Sequence, residues 1–496
     1  MLHIKVIEHN RTKEGGSILD FLISEYINYM KCSKCGGHVH FDPKKQGLLC
    51  EYCGTFTEID ESKEKIEYAK KEIAENQLSE YKCLNCGATL LTFDDTAVTF
   101  CSYCKSSVVV KSKFEQGNNP DLVIPFRINK AECEEIYKKY LKKFSLAPDY
   151  LKENATISKF RGIYMPYAVY KMEKHGEQEF KGSKYSHRRG DYDYYNDYII
   201  KSDIDAEYDG IAYDISSRFE DRFSKAIAPF NYNDVKPFDI RYLSGFYADS
   251  PDVIKKVYSD DAMLIAKRAA SKELLKNKEL RRYGCTNAQI PFNISDIKTA
   301  YYPVYFLAIE DMNGDICYAV LNGQTGKVVA EIPIDFKKFI RFTMVLAIPI
   351  FVLLNIFITL TPLKITWFAM LMSLVNLLFF RIQKKKIKAK EERAEDKGAF
   401  FIRSAPLTWN DIEKKKEKMG DKKSKFSLSN LIPYLSIIVP FIILCFNPVE
   451  DIYYYIASLV TIIITLRSIF NLVEQHNTLS TRKPRQLEKR GGDDVE

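Results

Sequence analysis

None of the motifs that mark the common enzyme folds occurs in this chain of 496 residues. There is no H-E-x-x-H, no G-x-S-x-G and no dinucleotide-binding G-x-G-x-x-G, which removes the helix-borne zinc proteases, the nucleophile-elbow hydrolases and the Rossmann enzymes. Gly323-Gln-Thr-Gly326-Lys327 has a superficial likeness to a phosphate loop. It lacks the G-x-x-x-x-G-K-[ST] spacing and opens a strand rather than a helix, so a hairpin turn is expected there. Long uncharged apolar runs are nearly absent before residue 341, and the opening MLHIKVIEHNRTKEGG has no apolar h-region. No cleavable signal peptide is therefore expected. A large charge excess is missing too: 73 Lys+Arg against 65 Asp+Glu leaves +8, which by itself does not argue for nucleic acid. With 28% charged and 46% hydrophobic residues, wholesale disorder and collagen-like chains are excluded. The length leaves room for about three or four domains.

What the chain does have is cysteine. Of its 12 Cys, eight form four CxxC pairs, and Cys133, Cys285, Cys317 and Cys445 are scattered. Cys32-Ser-Lys-Cys35 and Cys50-Glu-Tyr-Cys53 are separated by fourteen residues, and so are Cys83-Leu-Asn-Cys86 and Cys101-Ser-Tyr-Cys104. The same spacing twice is an internal repeat of one small unit. Paired CxxC knuckles place four thiolates in a tetrahedron, the shell that Zn²⁺ prefers. Each knuckle needs a tight turn, and Gly36, Gly54 and Gly87 follow the second Cys of three of them. Lys105 stands there in the fourth. Two zinc ribbons are expected, at residues 28–57 and 82–112, each holding one structural Zn²⁺. Four thiolates leave no open position, so neither ion is expected to be catalytic. Eight free or redox-active thiols are the bland alternative, and the spacing disfavours it. His38 and His40 are expected to be strand residues. Thiols of this kind belong in a reducing compartment, which places this part of the chain in the cytoplasm.

Between the ribbons, residues 58–81 carry Ile59, Ile66, Ile73 and Leu78 at roughly helical spacing among Lys and Glu, which predicts an amphipathic helical linker. Residues 120–335 read as an α+β cytoplasmic domain. A helix is expected over 130–144, a strand over 163–170 interrupted by Pro166, half-exposed antiparallel strands over 191–211, and a helical stretch over 252–280. The segments 301–308 and 316–321 flank an Asn-Gly turn and form a hairpin. The run from Lys184 to Tyr195 mixes basic residues with tyrosine, as single-strand nucleic-acid binders do. Asp191 and Asp193 interleave, so a solvated loop is expected instead. Cys133, Cys285 and Cys317 have no evident His partner and are expected to be buried structural thiols.

The last third reads as a membrane region. Residues 342–363 and 426–449 carry no charge, and 365–380 and 452–466 are shorter uncharged runs. The expectation is four helices in two hairpins, over 342–380 and 426–473. The loop 381–425 holds 16 basic and 8 acidic residues, and the tail after the last span holds Arg482, Lys483, Arg485, Lys489 and Arg490. The positive-inside rule then puts both termini and this loop on the cytoplasmic side of a multi-pass cell-membrane protein. Intramembrane ionisable groups are confined to Lys364 and Arg467 near the span ends, which argues against a transport path.

Several short segments resemble a known family: Val123-Ile-Pro-Phe126, Gly162-Ile-Tyr-Met-Pro-Tyr167, Tyr242-Leu-Ser-Gly-Phe246, Tyr302-Pro-Val-Tyr305 and Leu321-Asn-Gly-Gln-Thr-Gly-Lys-Val328. With the ribbons they resemble the bacterial membrane-anchored TFIIB-type zinc-ribbon proteins, often labelled as like the primosomal helicase, over roughly residues 30–380. The resemblance implies a scaffold or adaptor role at the membrane. It implies membrane or membrane-associated proteins as partners, among them stress proteins of the phage-shock type in some bacteria. A helicase is excluded by the missing phosphate loop. No catalytic or cofactor-binding residue stands out beyond the eight Cys, and the chain is expected not to be an enzyme. The rival expectation is a membrane-tethered nucleic-acid binder. It is less favoured because Lys31, Lys34, Lys44 and Lys45 of the first ribbon are offset by Asp42, Glu51 and Glu58.

Overall fold

The computed structural model describes residues 32–37, 39–59, 79–83, 89–92, 109–112, 120–285, 290–310, 316–357, 361–393 and 432–481. It is a mixed helix-and-sheet protein with a cysteine cluster near its N-terminus, as expected at that level.

The first ribbon is a three-stranded antiparallel sheet of β1 (Val39–Asp42), β2 (Gly47–Cys50) and β3 (Phe56–Glu58), in that order. Alternate residues Val39 and Phe41 point inward and join the buried side of Leu48. The helical linker expected over 58–81 has strand at both ends, Glu58 in β3 and residues 79–81 in β4 (Ser79–Cys83), while 60–78 lie outside the described residues.

The second repeat is not a separate sheet. Its strands β4, β5 (Thr89–Thr92) and β6 (Val109–Ser112) belong to the main 11-stranded sheet, because β5 pairs antiparallel with β11 (Tyr247–Asp249) through Ala248 opposite Leu91. β5 lies between the two CxxC pairs of the second repeat. The rest of that sheet is built on β7 (Leu122–Val123), β8 (Arg161–Arg189), β9 (Tyr192–Asp214), β10 (Lys236–Pro237), β12 (Asn293–Glu310), β13 (Ile316–Asn322) and β14 (Val328–Ala330). The 301–321 hairpin forms as expected, as β12 and β13, with Val304 opposite Asn322. β8 runs straight through Pro166, which sits opposite Tyr301 while its carbonyl accepts from the Ile215 N–H. A proline in a strand is tolerated where its missing N–H is not needed.

β8 and β9 form one long ribbon. The run from Lys184 to Tyr195, expected as a loop, is its end: Arg189 pairs with Tyr192 across a turn in which Gly190 takes φ +63°. The charges that weaken a phosphate path are cross-strand partners there, Arg188 with Asp193 at 3.8 Å, and His187 stacks on Tyr194. Opposed pairs of this kind are what hold an exposed two-stranded ribbon in register.

Helix α1 (Lys130–Leu141) starts on an Asn129 capping box with Glu132 and buries Cys133, Tyr137 and Leu141. Helix α2 (Asp221–Ile227) and helix α3 (Ser259–Leu274) cover other parts of the sheet. Cys133, Cys285 and Cys317 are buried, as expected of structural thiols.

Four apolar helices follow: α4 (Phe336–Phe357), α5 (Pro362–Arg393), α6 (Ile432–Phe446) and α7 (Asp451–Thr481). Among the described residues two segments, Pro362–Ile387 and Asp451–Thr481, are long and apolar enough to cross a membrane, where four spans were expected. The difference is one of uncharged length: α4 has 22 residues, but Lys337, Lys338 and Arg341 fall in its first six and only 342–357 are uncharged. The 15 residues of α6 reach about 22 Å at ~1.5 Å each, short of a hydrocarbon core of about 30 Å. The uncharged run before it, from 426 to 431, lies outside the described residues, as do 358–360 after α4. Thr366 of α5 is within hydrogen-bond reach of the Tyr454 carbonyl and the Ser458 hydroxyl of α7, and Arg381 reaches Tyr434 of α6. These contacts make α5 parallel to α7 and antiparallel to α6.

Helices and sheet are tied together. Asn477 of α7 accepts from the Ile334 N–H at 2.8 Å and donates to its carbonyl at 2.9 Å. Lys338 of α4 reaches the Ala147 carbonyl at 2.8 Å and the Asp149 carboxylate.

Candidate metal centre and its seat

Two knuckles are built alike. In the first, the Gly36 N–H donates to the Cys32 carbonyl and the Cys32 N–H to the Gly37 carbonyl; in the second, Gly54 donates to Cys50 and Cys50 to Thr55. Gly36 and Gly54 stand at φ +68° and +71°, a backbone that costs an L side chain roughly 1–2 kcal/mol. This is the turn chemistry expected from the CxxCG spacing.

The four sulfurs of Cys32, Cys35, Cys50 and Cys53 all lie within 4.8 Å of one another. Cys32 Sγ is 3.4 Å from Cys53 Sγ, and Cys35 Sγ is 3.5 Å from Cys50 Sγ. None is disulfide-bonded. A metal–sulfur bond of ~2.3 Å in a tetrahedron requires sulfur–sulfur edges of about 3.8 Å, so the donor set fits a metal ion. The electrostatics agree. The Lys34 and Cys35 N–H groups lower the Cys32 thiol, and the Thr55 hydroxyl, 3.1 Å away, helps to bring Cys53 down to about 6. Against the pull of the Gly37 N–H, the Cys53 and Cys50 thiols and desolvation push Cys35 up to about 12. Four thiolates this close repel, and a cation at their centre removes the conflict.

His40 lies on β1, 3.4 Å from the Glu51 carboxylate and outside the sulfur cluster. Of the second predicted set, Cys83 ends β4, and Cys86, Cys101 and Cys104 lie outside the described residues, as does His38.

The ribbon is seated on the α+β domain. Phe41 packs edge-on against Tyr242 (5.2 Å) and tilts over Phe246 (6.5 Å). Its N–H donates to the Ser244 carbonyl, and Ser244 Oγ donates to the Val39 carbonyl at 2.7 Å. Gln46 donates to the Phe126 carbonyl at 2.7 Å, and Lys44 pairs with Glu132 of α1 at 2.5 Å. Below Phe41, Phe246 stacks on Phe126 at 4.1 Å, and Tyr164 and Tyr305 meet Phe126 edge-on. The short segments that carry the family resemblance thus converge. Phe126, Gly162, Tyr164, Tyr242, Phe246, Tyr305 and Gly323 come from five stretches of sequence and form one aromatic seat.

Two glycines make that seat possible. A Cβ at Gly162 would lie 2.5 Å from the Phe246 ring, and one at Gly323 2.5 Å from the Phe126 ring. Gly162→Ala is expected to displace Phe246 and destabilise the protein by about 1–3 kcal/mol. A lowered midpoint of thermal unfolding, with earlier tryptic cleavage within 32–59, checks it.

The turn expected in place of a phosphate loop repeats the knuckle design. Gly326 donates to the Asn322 carbonyl and Asn322 to that of Lys327. Here the Asn322 side-chain oxygen accepts from the Gln324 and Thr325 N–H groups at 2.9 Å each. The amide oxygen occupies the place that a knuckle gives to sulfur.

Sequence reasoning missed a set of buried charges. Arg222 lies between Glu220 and Glu331, all about nine-tenths buried, and its Nη1 is 2.7 Å from Glu331. Arg218 reaches the fully buried Asp249 at 3.3 Å and Asp252 at 3.7 Å. No spacing rule marks such groups, because apart from Glu220, two residues from Arg222, their partners lie 31 to 109 residues away.

No family model matches the chain, and no solved structure matches it. It is similar to the uncharacterized protein YdjG of Bacillus subtilis (strain 168), with 27% identity over 321 residues, 63% of this chain and 92% of that one.

Proposed function

We propose that this is a membrane-anchored zinc-ribbon protein of the TFIIB-type kind, whose ribbon and α+β domain bind other membrane or membrane-associated proteins as a scaffold or adaptor. One observation carries the reading: the ribbon is fixed, not tethered. Gln46, Lys44 and Phe41 hold it to the domain, and Asn477 and Lys338 hold the domain to the helices. A four-thiolate centre has no open position for a substrate, so zinc here is structural, with a second ion at Cys83, Cys86, Cys101 and Cys104. In this reading α4 to α7 cross the bilayer as two hairpins, with the domain, the basic loop and both termini on the cytoplasmic side.

A rigid mount is useful for recognition because little conformational entropy is lost on binding. The outward knuckle offers a fitting contact. Tyr52 is 89% exposed beside the exposed Cys53, and protruding tyrosines are frequent binding hot spots.

Affinity purification in mild detergent, with and without nuclease, tests the reading. Nuclease-resistant protein partners are expected with the wild-type chain. Tyr52→Ala should reduce their recovery by about tenfold, an effect typical of a ~1.4 kcal/mol contact, without changing the metal content. Recovery that collapses with nuclease would replace this reading with a membrane-tethered nucleic-acid binder.

A further inference from the structure

A cavity of about 550 Å³ opens at the foot of α7, where the helix leaves the apolar bundle and meets the start of α4. Its wall has three chemistries. Phe336 and Phe470 form an apolar side, with ring centroids 5.3 Å apart. Arg467 supplies a cation and Glu474 an anion. The two stand seven residues apart on one helix face, about 10 Å along the axis. Both are exposed, and among the described residues neither has an ion-pair partner.

The position is informative. The 31 residues of α7 extend about 46 Å, some 16 Å more than a hydrocarbon core. The excess stands at the end where His476 reaches the Ile332 carbonyl and Asn477 bonds Ile334. Arg467 follows the uncharged run 452–466 directly, about 24 Å from the start of α7, so its backbone lies just inside the core boundary and its long side chain snorkels outward to the lipid phosphates, with Glu474 further out. Flanking Lys337 and Arg341 of α4 face the same level and are exposed.

We infer that this cavity binds a phospholipid whose headgroup carries a phosphate and a terminal ammonium, as phosphatidylethanolamine does. Arg467 holds the phosphate by charge-assisted hydrogen bonds. Glu474 accepts from the ammonium N–H groups, and the two Phe rings take the glycerol and upper acyl carbons. An anionic lipid such as phosphatidylglycerol satisfies Arg467 but brings no cation to Glu474. A free phosphoester makes the polar contacts but leaves the apolar wall without a partner. The inference rests on the membrane reading above.

The test is native mass spectrometry of the full-length chain in mild detergent. The probes are palmitoyl-oleoyl phosphatidylethanolamine, the corresponding phosphatidylglycerol, and soluble phosphoethanolamine. The expected result is retention of the ethanolamine lipid about tenfold over the glycerol lipid, with no retention of soluble phosphoethanolamine. Arg467→Gln should lower retention of the ethanolamine lipid about tenfold. Glu474→Gln should erase the preference between the two lipids. Lipid-free unfolding temperatures equal to wild type establish that both variants fold. Equal retention of the two lipids by the wild type, or no change in either variant, overturns the inference. Soluble phosphoethanolamine binding as well as the lipid would reassign the cavity to a soluble phosphoester. Carbonate extraction of the source membranes separates the two failures. A chain that washes off refutes the membrane reading and this inference with it, whereas a chain that stays but shows no lipid preference refutes the inference alone.

Discussion

Cys50→Ser is expected to unfold the first ribbon and to release its metal. Cys50 is 1% exposed and its sulfur belongs to the four-donor cluster, so a hydroxyl there replaces one of four thiolate donors with a neutral and much weaker one. Structural zinc supplies about 10–16 kcal/mol to small domains of this kind. The ribbon has little else. Its three strands have four, four and three residues, too few to stand alone. The effect should propagate, because Val39, Phe41 and Leu48 are part of the same buried cluster as Phe126 and Tyr164. Losing the ribbon uncovers the seat formed by Tyr242 and Phe246. Limited proteolysis checks this: residues 32–59 should become cleavable in Cys50→Ser, and equally in the wild type after treatment with a strong chelator. The domain below should survive, destabilised by several kcal/mol. Unchanged proteolysis in both would mean that packing on the seat, not metal, folds the ribbon.

Arg222→Met is expected to be the most costly change inside the α+β domain. Glu220, Arg222 and Glu331 are 7%, 10% and 8% exposed at their side chains, and Arg222 answers both carboxylates. Removing it leaves two buried anions beside each other, a loss of roughly 3–5 kcal/mol. Arg222→Lys should recover only part of it, since one ammonium cannot reproduce a planar guanidinium that meets two partners through Nε and Nη1. The diagnostic variant is Arg222→Met combined with Glu220→Gln and Glu331→Gln. It should lie closer to wild type than Arg222→Met alone, because the cost comes from buried charge that has lost its guanidinium rather than from lost volume. Thermal unfolding of the four proteins in one detergent reads the order directly. A loss below about 1 kcal/mol for Arg222→Met would place the triad in water, contrary to its burial.

How much of this could be read from the sequence depends on whether the cause was local. The knuckles were legible because a CxxCG turn fixes both its sulfurs and its left-handed glycine within five residues. Helix α1 was legible from its apolar spacing, and the β12–β13 hairpin from its turn residues. The seat was not, since Phe41, Phe126, Tyr164, Tyr242 and Tyr305 span more than 260 positions and meet only in the folded chain. For the same reason the attachment of β5 to β11 was invisible: strand pairing across about 150 residues leaves no periodic trace. Pro166 misled, because a proline is acceptable inside a strand where its missing N–H is not needed, and its own carbonyl is still paired, with the Ile215 N–H. The apolar runs gave the positions of all four hydrophobic helices. They did not give their lengths, which depend on where each helix begins and ends.

The central claim is that a metal-filled ribbon is presented by a body fixed in the membrane. Elemental analysis of the full-length protein, purified from carbonate-washed membranes, tests it most directly. The account predicts zinc at two ions per chain, falling to one in Cys32→Ser/Cys50→Ser. A chain that carbonate releases, or one that comes from the membrane without metal in either form, would contradict it.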